Sequence, residues 1–225
     1  MSFGISRGRE LDIDGWGLNH DDLPPLPAPG EAPNFDPRDW FEHPERRFEL
    51  EIGAGKGTFL VQQAVLEPDT NFLGVEHAGE FTRFAADRAR RHQLANVRML
   101  HADAVEVIRW RMKPAVAAVI HLYFSDPWPK ARHHKRRVVQ DETLPQFHRI
   151  LQPEGELRIV TDHDDLWEWY VEHAARAVDA GLFTREAFVR PASAGEGELV
   201  GTNFERKFKV EGRNFRAMTL KRVGN

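Results

Sequence analysis

The chain has 225 residues, a formal net charge of −4 and no cysteine. That length can bury a full core as one α/β domain with an appendage, and the missing cysteine excludes disulfides, thiolate zinc sites and cysteine nucleophiles. No apolar run reaches the roughly 20 residues that span a bilayer, and the N-terminus lacks a signal-peptide apolar core, so a soluble, cytoplasmic protein is expected. Net acidity argues against indiscriminate nucleic-acid binding, but the charge is unevenly distributed. Residues 1–47 carry ten acids against five Lys/Arg, while Asn203–Arg222 carries seven Lys/Arg against Glu205 and Glu211. Local positive charge of this kind suits a directed docking face.

Met1–Glu45 shows no helical or strand period. Pro24, Pro25, Pro27, Pro29 and Pro33 fall within ten residues, with Gly30 among them, so an extended Pro-rich arm is expected over 1–45. Arg7 and Arg9, its only early cations, can reach RNA or simply face solvent. From Arg46 strand and helix signals alternate. Phe48–Ile52 reads as a strand, Gly53–Gly57 as a glycine turn, and Thr58–Leu66 as a helix with Leu60, Val61, Ala64 and Val65 inward. A second strand, Asn71–Glu76, precedes a helix over Glu80–His92 with Phe81, Phe84, Ala85 and Ala89 on one face. Val97–Ala102 and Ala104–Arg111 form the third pair. Ala115–Phe124 is the fourth strand, Lys135–Leu151 a long helix, and Glu156–Thr161 a fifth strand after Gly155. The cleanest helix follows, its stripe of Leu166, Trp169, Tyr170, His173, Ala174 and Ala177 repeating at i, i+3, i+4. His173 on that stripe reads as a satisfied core residue.

Repeated β-then-α units predict a doubly wound, mostly parallel sheet with helices on both faces. Ligands of such sheets bind beyond the carboxyl ends of the strands, near the switch point. Gly53, Glu76, Asp103, Asp126 and Asp162 each follow a strand in this way. The stretch after the fourth strand is the most distinctive. Pro127 and Pro129 fix their own φ and are expected to hold Asp126 and Trp128 extended, which makes a stiff acidic corner with an indole beside it. Lys130–Arg137 then holds five Lys/Arg and two His with no acid. Cations at a helix start oppose the helix dipole, so this run points to a polyanion rather than to helix stability.

Glu51-Ile-Gly53-Ala-Gly55-Lys-Gly57 ends the first strand with Gly-x-Gly-x-Gly spacing, and Thr58 stands where a dinucleotide fingerprint places its third glycine. Glycines there let the backbone turn sharply and approach a ligand. Acids after the first three strands (Glu51, Glu76, Asp103) suit a ligand with an ammonium, a ribose and an adenine, as in S-adenosylmethionine, which has no pyrophosphate for carboxylates to repel. Asp103 is equally a good helix N-cap. The adjacent His133 and His134 do not face each other on a helix, and the chemistry needs no Lewis acid, so no metal is expected.

The sequence resembles the tRNA (guanine-N7-)-methyltransferases, a branch of the class I S-adenosylmethionine-dependent methyltransferases, over roughly Arg46–Lys221. The most specific match is Ser125-Asp-Pro-Trp-Pro-Lys-Ala-Arg-His-His-Lys-Arg-Arg. Glu51-Ile-Gly-Ala-Gly-Lys-Gly, Phe72-Leu-Gly-Val-Glu76, Asp103-Ala, Thr161-Asp162 and Gly201-Thr202-Asn-Phe-Glu205-Arg-Lys-Phe follow in the family's order. The resemblance implies a Rossmann-like, seven-stranded sheet, with a methyltransferase domain over 46–225. It implies that Glu51, Gly53, Gly55, Glu76, Asp103 and Ala104 line the donor pocket and that Asp126 is the central active-site acid. Lys130, Arg132, His133 and Arg136 would engage RNA and guanosine, and Asp162, Thr202 and Glu205 would complete the guanine side. The implied reaction moves the methyl of S-adenosylmethionine to N7 of a tRNA guanosine, at position 46 of the variable loop, and leaves S-adenosylhomocysteine. The acidic N-terminal arm departs from the family's usually basic one.

Guanine N7 is a bare lone pair, so no strong base is required; the developing purine cation must be stabilised, and a fixed carboxylate such as Asp126 can do that. Trp128 is either a stacking surface for a base or a loop anchor. Two other readings share the sheet: a nicotinamide-dependent oxidoreductase and a non-catalytic RNA-binding module. The sequence leaves monomer and homodimer equally open.

Overall fold

A computed structural model describes residues 10–224; Arg7 and Arg9 lie outside them. Alternation along one central strand divides the interior. In β2 (Arg47–Ile52), Phe48, Leu50 and Ile52 face one apolar cluster, while Glu49 and Glu51 point to the other side of the sheet. The first cluster is closed by α3 (Ala104–Trp110), α4 (Leu144–Ile150) and α5 (Asp164–Asp179), through Val107, Phe147, Leu166 and Tyr170. The second is closed by α1 (Thr58–Leu66) and α2 (Gly79–Arg91), through Phe59, Leu60, Ala85 and Ala89. Helices therefore cover both faces of the sheet.

Seven further strands complete the sheet. They are β1 (Gly17–Asn19), β3 (Thr70–Glu76), β4 (Val97–His101), β5 (Ala117–Tyr123), β6 (Leu151–Thr161), β7 (Phe183–Glu186) and β8 (Arg216–Arg222). The spatial order is β1-β4-β3-β2-β5-β6-β8-β7, parallel from β1 to β6, with β8 antiparallel to β6 and β7 antiparallel to β8. The chain steps outward from β2 through β3 to β4, then returns to place β5 on the other side of β2. The switch point thus lies between β2 and β5, where Ile52 pairs with Leu122. The last helix, α6 (Asn203–Val210), sits between β7 and β8 in sequence.

Among the described residues the sheet has eight strands where the resemblance implies seven. The additional one is β1, from a segment without strand period, because Gly17–Asn19 pairs along Met99–His101 at the sheet's edge. Trp16 Nε1 donates to Leu94 O at 2.8 Å beside it. Leu23, Phe35 and Phe41 are buried in the core cluster, and Phe35 exchanges backbone hydrogen bonds with Arg111 and Lys113.

The long helix expected over Lys135–Leu151 is not continuous. Ala131–Arg136 forms a 3-10 stretch and α4 begins only at Leu144, with Pro145 in its first turn, where a missing N–H costs nothing. The basic run is therefore not the start of an α-helix. Val65 is exposed rather than inward, and Phe81 and Phe84 are half-buried with the Lys56 ammonium over their rings. His173 is buried with its Nδ1 2.7 Å from Asp141 Oδ1. Among the described residues no helix is long and apolar enough to cross a membrane.

Candidate active site

The glycine turn leaves β2 in a conformation that L side chains resist. Gly53, Gly55 and Gly57 have φ of +75°, +54° and +66°. A Cβ on Gly57 would lie 2.8 Å from Ala85 Cβ, so glycine also permits the close approach of α1 to α2. A Cβ on Gly53 would meet nothing within 4 Å, so this glycine borders open space. Glu76, the last residue of β3, clamps the turn: its Oε2 accepts from Gly55 N and its Oε1 from Ala78 N, each at 2.8 Å.

Glu51 is the electrostatic oddity beside it. Its side chain is buried and its Oε2 has no hydrogen-bond partner. Burial, with the Glu76 charge adding to it, pushes the carboxyl up to about 8. One pleat away, Glu49 is fully paired. Burial raises that carboxyl too, but the hydrogen bonds from His121 Nε2 (2.8 Å) and Arg47 Nε (2.8 Å) outweigh it and hold it down to about 2. The contrast comes from partners, since both side chains lie on one buried face of one strand. Asp103 caps α3, its Oδ1 accepting from Val105 N and Glu106 N, which leaves Oδ2 free of these bonds, and Ala104 opens that helix.

Across the switch point, β5 delivers Asp126. Two non-glycine residues in left-handed backbone bracket it, Phe124 at φ +55° and Trp128 at φ +43°. Trp128 is thus not extended as its place before Pro129 predicts, and such strain persists only where the surroundings enforce it. Here they do. Phe124 N donates to Val160 O at 2.8 Å, Ser125 Oγ lies 2.5 Å from Tyr170 OH, and Arg137 Nε donates to Pro127 O at 3.0 Å. Arg137 itself is buried, stacked 4.9 Å from the Trp169 ring centroid and ion-paired with Asp165. The Asp126 side chain, held between these anchors, is exposed and has no hydrogen-bond or ion-pair partner among the described residues.

The rest of the basic run is split by this geometry. Lys130, Arg132, Lys135 and Arg136 are exposed without an acidic partner among the described residues, and His133 is half-buried. Arg136 lies 4.8 Å over the Trp128 ring, whose other close neighbour is the His133 edge at 5.8 Å. Trp128 therefore packs within its own loop and presents Arg136. Asp162, one residue past β6, accepts from Arg213 Nη1 at 2.6 Å.

Thr202 and Glu205, expected on the guanine side, face inward. Thr202 Oγ1 caps α6 by accepting from Glu205 N at 3.0 Å. The buried Glu205 carboxylate takes the backbone amides of Leu199, Val200 and Gly201, the last two at 2.8 Å. A Thr-x-x-Glu pattern before a helix is a capping signature; it reveals the Thr202 cap, whereas the Glu205 carboxylate binds the three amides before Thr202. Sequence reasoning also missed Arg137 as an anchor and Arg213 as the partner of Asp162; neither has a local signature, since each partner lies far along the chain. Among the described residues no group of three or more His, Asp or Glu is placed to hold a metal ion.

A protein-family profile described as "Putative methyltransferase" matches residues 45–218. The tRNA (guanine-N(7)-)-methyltransferase of Nitrobacter hamburgensis is 38% identical over 176 residues, covering 78% of this chain and 69% of its own length. That of Rhodopseudomonas palustris strain BisA53 is 36% identical over 213 residues, covering 94% and 84%. The crystal structure of the aminoglycoside resistance methyltransferase NpmB1 shares the fold, with a TM-score of 0.55 and 16% identity over 84% of this chain and 95% of that one. Sequence identity over this span, together with a glycine turn and an acidic corner meeting at the switch point, makes the chain a member of the tRNA (guanine-N(7)-)-methyltransferase family.

Proposed function

We propose that the protein methylates N7 of a guanosine in tRNA, at position 46 of the variable loop, using S-adenosylmethionine and releasing S-adenosylhomocysteine, and that it works in the cytoplasm. The observation that carries the reading is the pairing of Ile52 with Leu122. It sends the glycine turn and the Asp126 corner out of the sheet side by side, with exposed cations beyond.

The donor fits the residues present. Glu51 offers a buried carboxylate oxygen without a partner, and an ammonium there would restore the charge that burial suppresses. Each Glu76 oxygen accepts one backbone amide and keeps capacity for a ribose hydroxyl. The free Asp103 oxygen suits an adenine amino group, with Ala104 beside it, and the open space at Gly53 admits close approach of a ligand. When bound, S-adenosylmethionine supplies a methyl group activated on a sulfonium.

On the acceptor side, Asp126 is the catalytic residue of the reading. Its carboxylate, unpaired and fixed between anchored neighbours, would hydrogen-bond the guanine edge and stabilise the positive charge that builds on the purine. Alignment of the two ligands contributes much of the remaining acceleration. Lys130, Arg132, His133 and Arg136 would grip the RNA, the exposed arginines through phosphates. Asp162 would act beside Asp126 through its pair with Arg213, and Thr202 and Glu205 would position the α6 segment rather than touch the base. The test is incubation with labelled S-adenosylmethionine and unmodified tRNA, followed by mass-spectrometric mapping of nuclease fragments. Label on N7 of one guanosine is expected; label elsewhere, or none, overturns the reading.

A further inference from the structure

One half-buried cation beside the glycine turn has no acid, although the two cations whose charge it feels are both paired. Arg88 lies on α2, and its Nη1 donates to Thr58 Oγ1 at 3.0 Å, where the glycine turn passes into α1. Its other N–H donors meet no acceptor among the described residues, and it makes no ion pair with them. The acids nearby are engaged elsewhere. Asp87 accepts from Arg90 Nη2 at 3.1 Å and from Arg91 Nε at 2.9 Å, and Glu198 accepts from Arg206 Nε at 2.6 Å. Burial first, and then the Arg91 and Arg206 charges, work against the charge of Arg88 and lower its pKa.

Thr58 gathers donors at the same point. Its buried Oγ1 also accepts from Asn203 Nδ2 of α6 at 2.7 Å, and its own O–H donates to none of the described residues. A guanidinium, a side-chain amide and a hydroxyl from three helices therefore converge, and the only acceptor they share is the Thr58 oxygen itself. A strut between α1 and α2 needs no charge, and Asn203 already ties this junction with a neutral amide. A fully exposed cation costs little in water, but a half-desolvated guanidinium without an anion is unfavourable. The group that satisfies such a set is a phosphate: the guanidinium fork matches its oxygens, and the hydroxyl and amide protons complete the cradle.

We infer that Arg88, with Thr58 and Asn203, forms a phosphate site for the RNA backbone, separate from the basic run and on the other side of the glycine turn. This rests on the tRNA-methylation reading and adds a second grip to it. The basic run leaves the sheet after β5, on one side of β2, whereas α1 and α2 connect β2, β3 and β4 on the other. An RNA strand held at both places spans the cleft and presents the accepting guanosine between them.

The test measures tRNA binding by wild type, Arg88→Met and Arg88→Lys over a series of salt concentrations. Losing one phosphate contact in Arg88→Met should flatten the slope of log K against log salt by about 0.7–0.9, which at 0.1 M salt is about 5- to 8-fold in affinity. Arg88→Lys keeps the charge without the fork, so it should retain most of the slope and lose part of the affinity. Calorimetric affinity for S-adenosylmethionine should be unchanged in both. Added to Arg132→Ala and Arg136→Ala, Arg88→Met should flatten the slope by the same amount again, because separate contacts add. No further change in that combination would merge Arg88 with the basic run and overturn the inference. A lower unfolding temperature with an unaltered salt slope would mark Arg88 as a strut and overturn it too. So would a loss confined to donor affinity, which would put Arg88 at the carboxylate of S-adenosylmethionine. Wild-type protein that methylates no tRNA guanosine overturns the underlying reading instead, and the salt slopes still decide whether Arg88 holds RNA.

Discussion

Glu51→Gln separates the electrostatics of the donor cleft from its shape. The wild-type carboxyl is raised from its ordinary 4.5 to about 8 by burial and by the Glu76 charge. Between those values the unfolded chain has lost this proton while the folded chain keeps it. The folded state therefore binds more protons, and stability falls as pH rises from 4.5 towards 8. At about 1.4 kcal/mol per unit, the loss between pH 4.5 and pH 7 is on the order of 3 kcal/mol. Glutamine fills the same volume and does not titrate. Its unpaired amide adds a penalty of about 1–3 kcal/mol, but that penalty does not vary with pH. The variant should thus gain roughly 3 kcal/mol on wild type between pH 4.5 and pH 7, whatever the offset between them. Urea unfolding at a series of pH values measures it; parallel stability profiles would refute the assigned burial cost. The same reasoning predicts that an ammonium-bearing donor, binding at pH 7, expels nearly one proton from wild type and none from Glu51→Gln. Calorimetry in buffers of different ionisation enthalpy reads that release.

Asp126→Ala should keep most donor affinity and lose about 10²–10³-fold in kcat, the scale of one preorganised electrostatic contact; unchanged turnover would remove its catalytic role. Replacing both Arg132 and Arg136 by alanine should weaken tRNA binding and flatten the slope of log K against log salt by about 0.7–0.9 per phosphate contact, whereas an unaltered slope would mean that both merely face solvent. Arg137→Met tests the anchor. Asp165 is largely exposed and returns to water at little cost, so the loss is chiefly the bond to Pro127 O and the stack on Trp169, about 1–2 kcal/mol. Because the corner loosens, kcat should fall while donor affinity holds; donor affinity falling in step with kcat would deny it a positioning role.

The order of β2 to β6 and of the helices between them, the acids at the strand ends and the basic run after Pro129 were legible from residues alone, whereas β7, α6 and β8 were placed by no periodicity. Each legible feature is local: apolar periodicity follows from backbone geometry, and a glycine turn is set by the φ values its own residues allow. The corner at Asp126 was legible in composition but not in conformation, because Phe124 and Trp128 take left-handed backbone that Val160, Tyr170 and Arg137 enforce. The arm was not legible, because Gly17–Asn19 becomes a strand only through the edge that β4 offers it, and no periodicity records that. Nor was the break in the expected helix over Lys135–Leu151, where propensity competes with Pro145 and with the pull of Arg137 towards Pro127 O.

Within the site, the sequence by itself determined which residue types reach the cleft: a glycine turn, a row of carboxylates and a cluster of cations. Only the tertiary structure decided what each does there. Glu49 and Glu51 differ by one pleat repeat, yet one is paired and ionised while the other is orphaned and raised. Arg136 and Arg137 are adjacent, yet one faces solvent over Trp128 and the other is buried against Trp169. Thr202 and Glu205 turn inward to hold α6, and that leaves Phe204 at the glycine turn. The physical reason is shared: Glu49 meets His121, Arg137 meets Trp169, and α6 docks on Thr58 and Gln62, partners tens of residues away that come together only when the sheet closes and its helices pack.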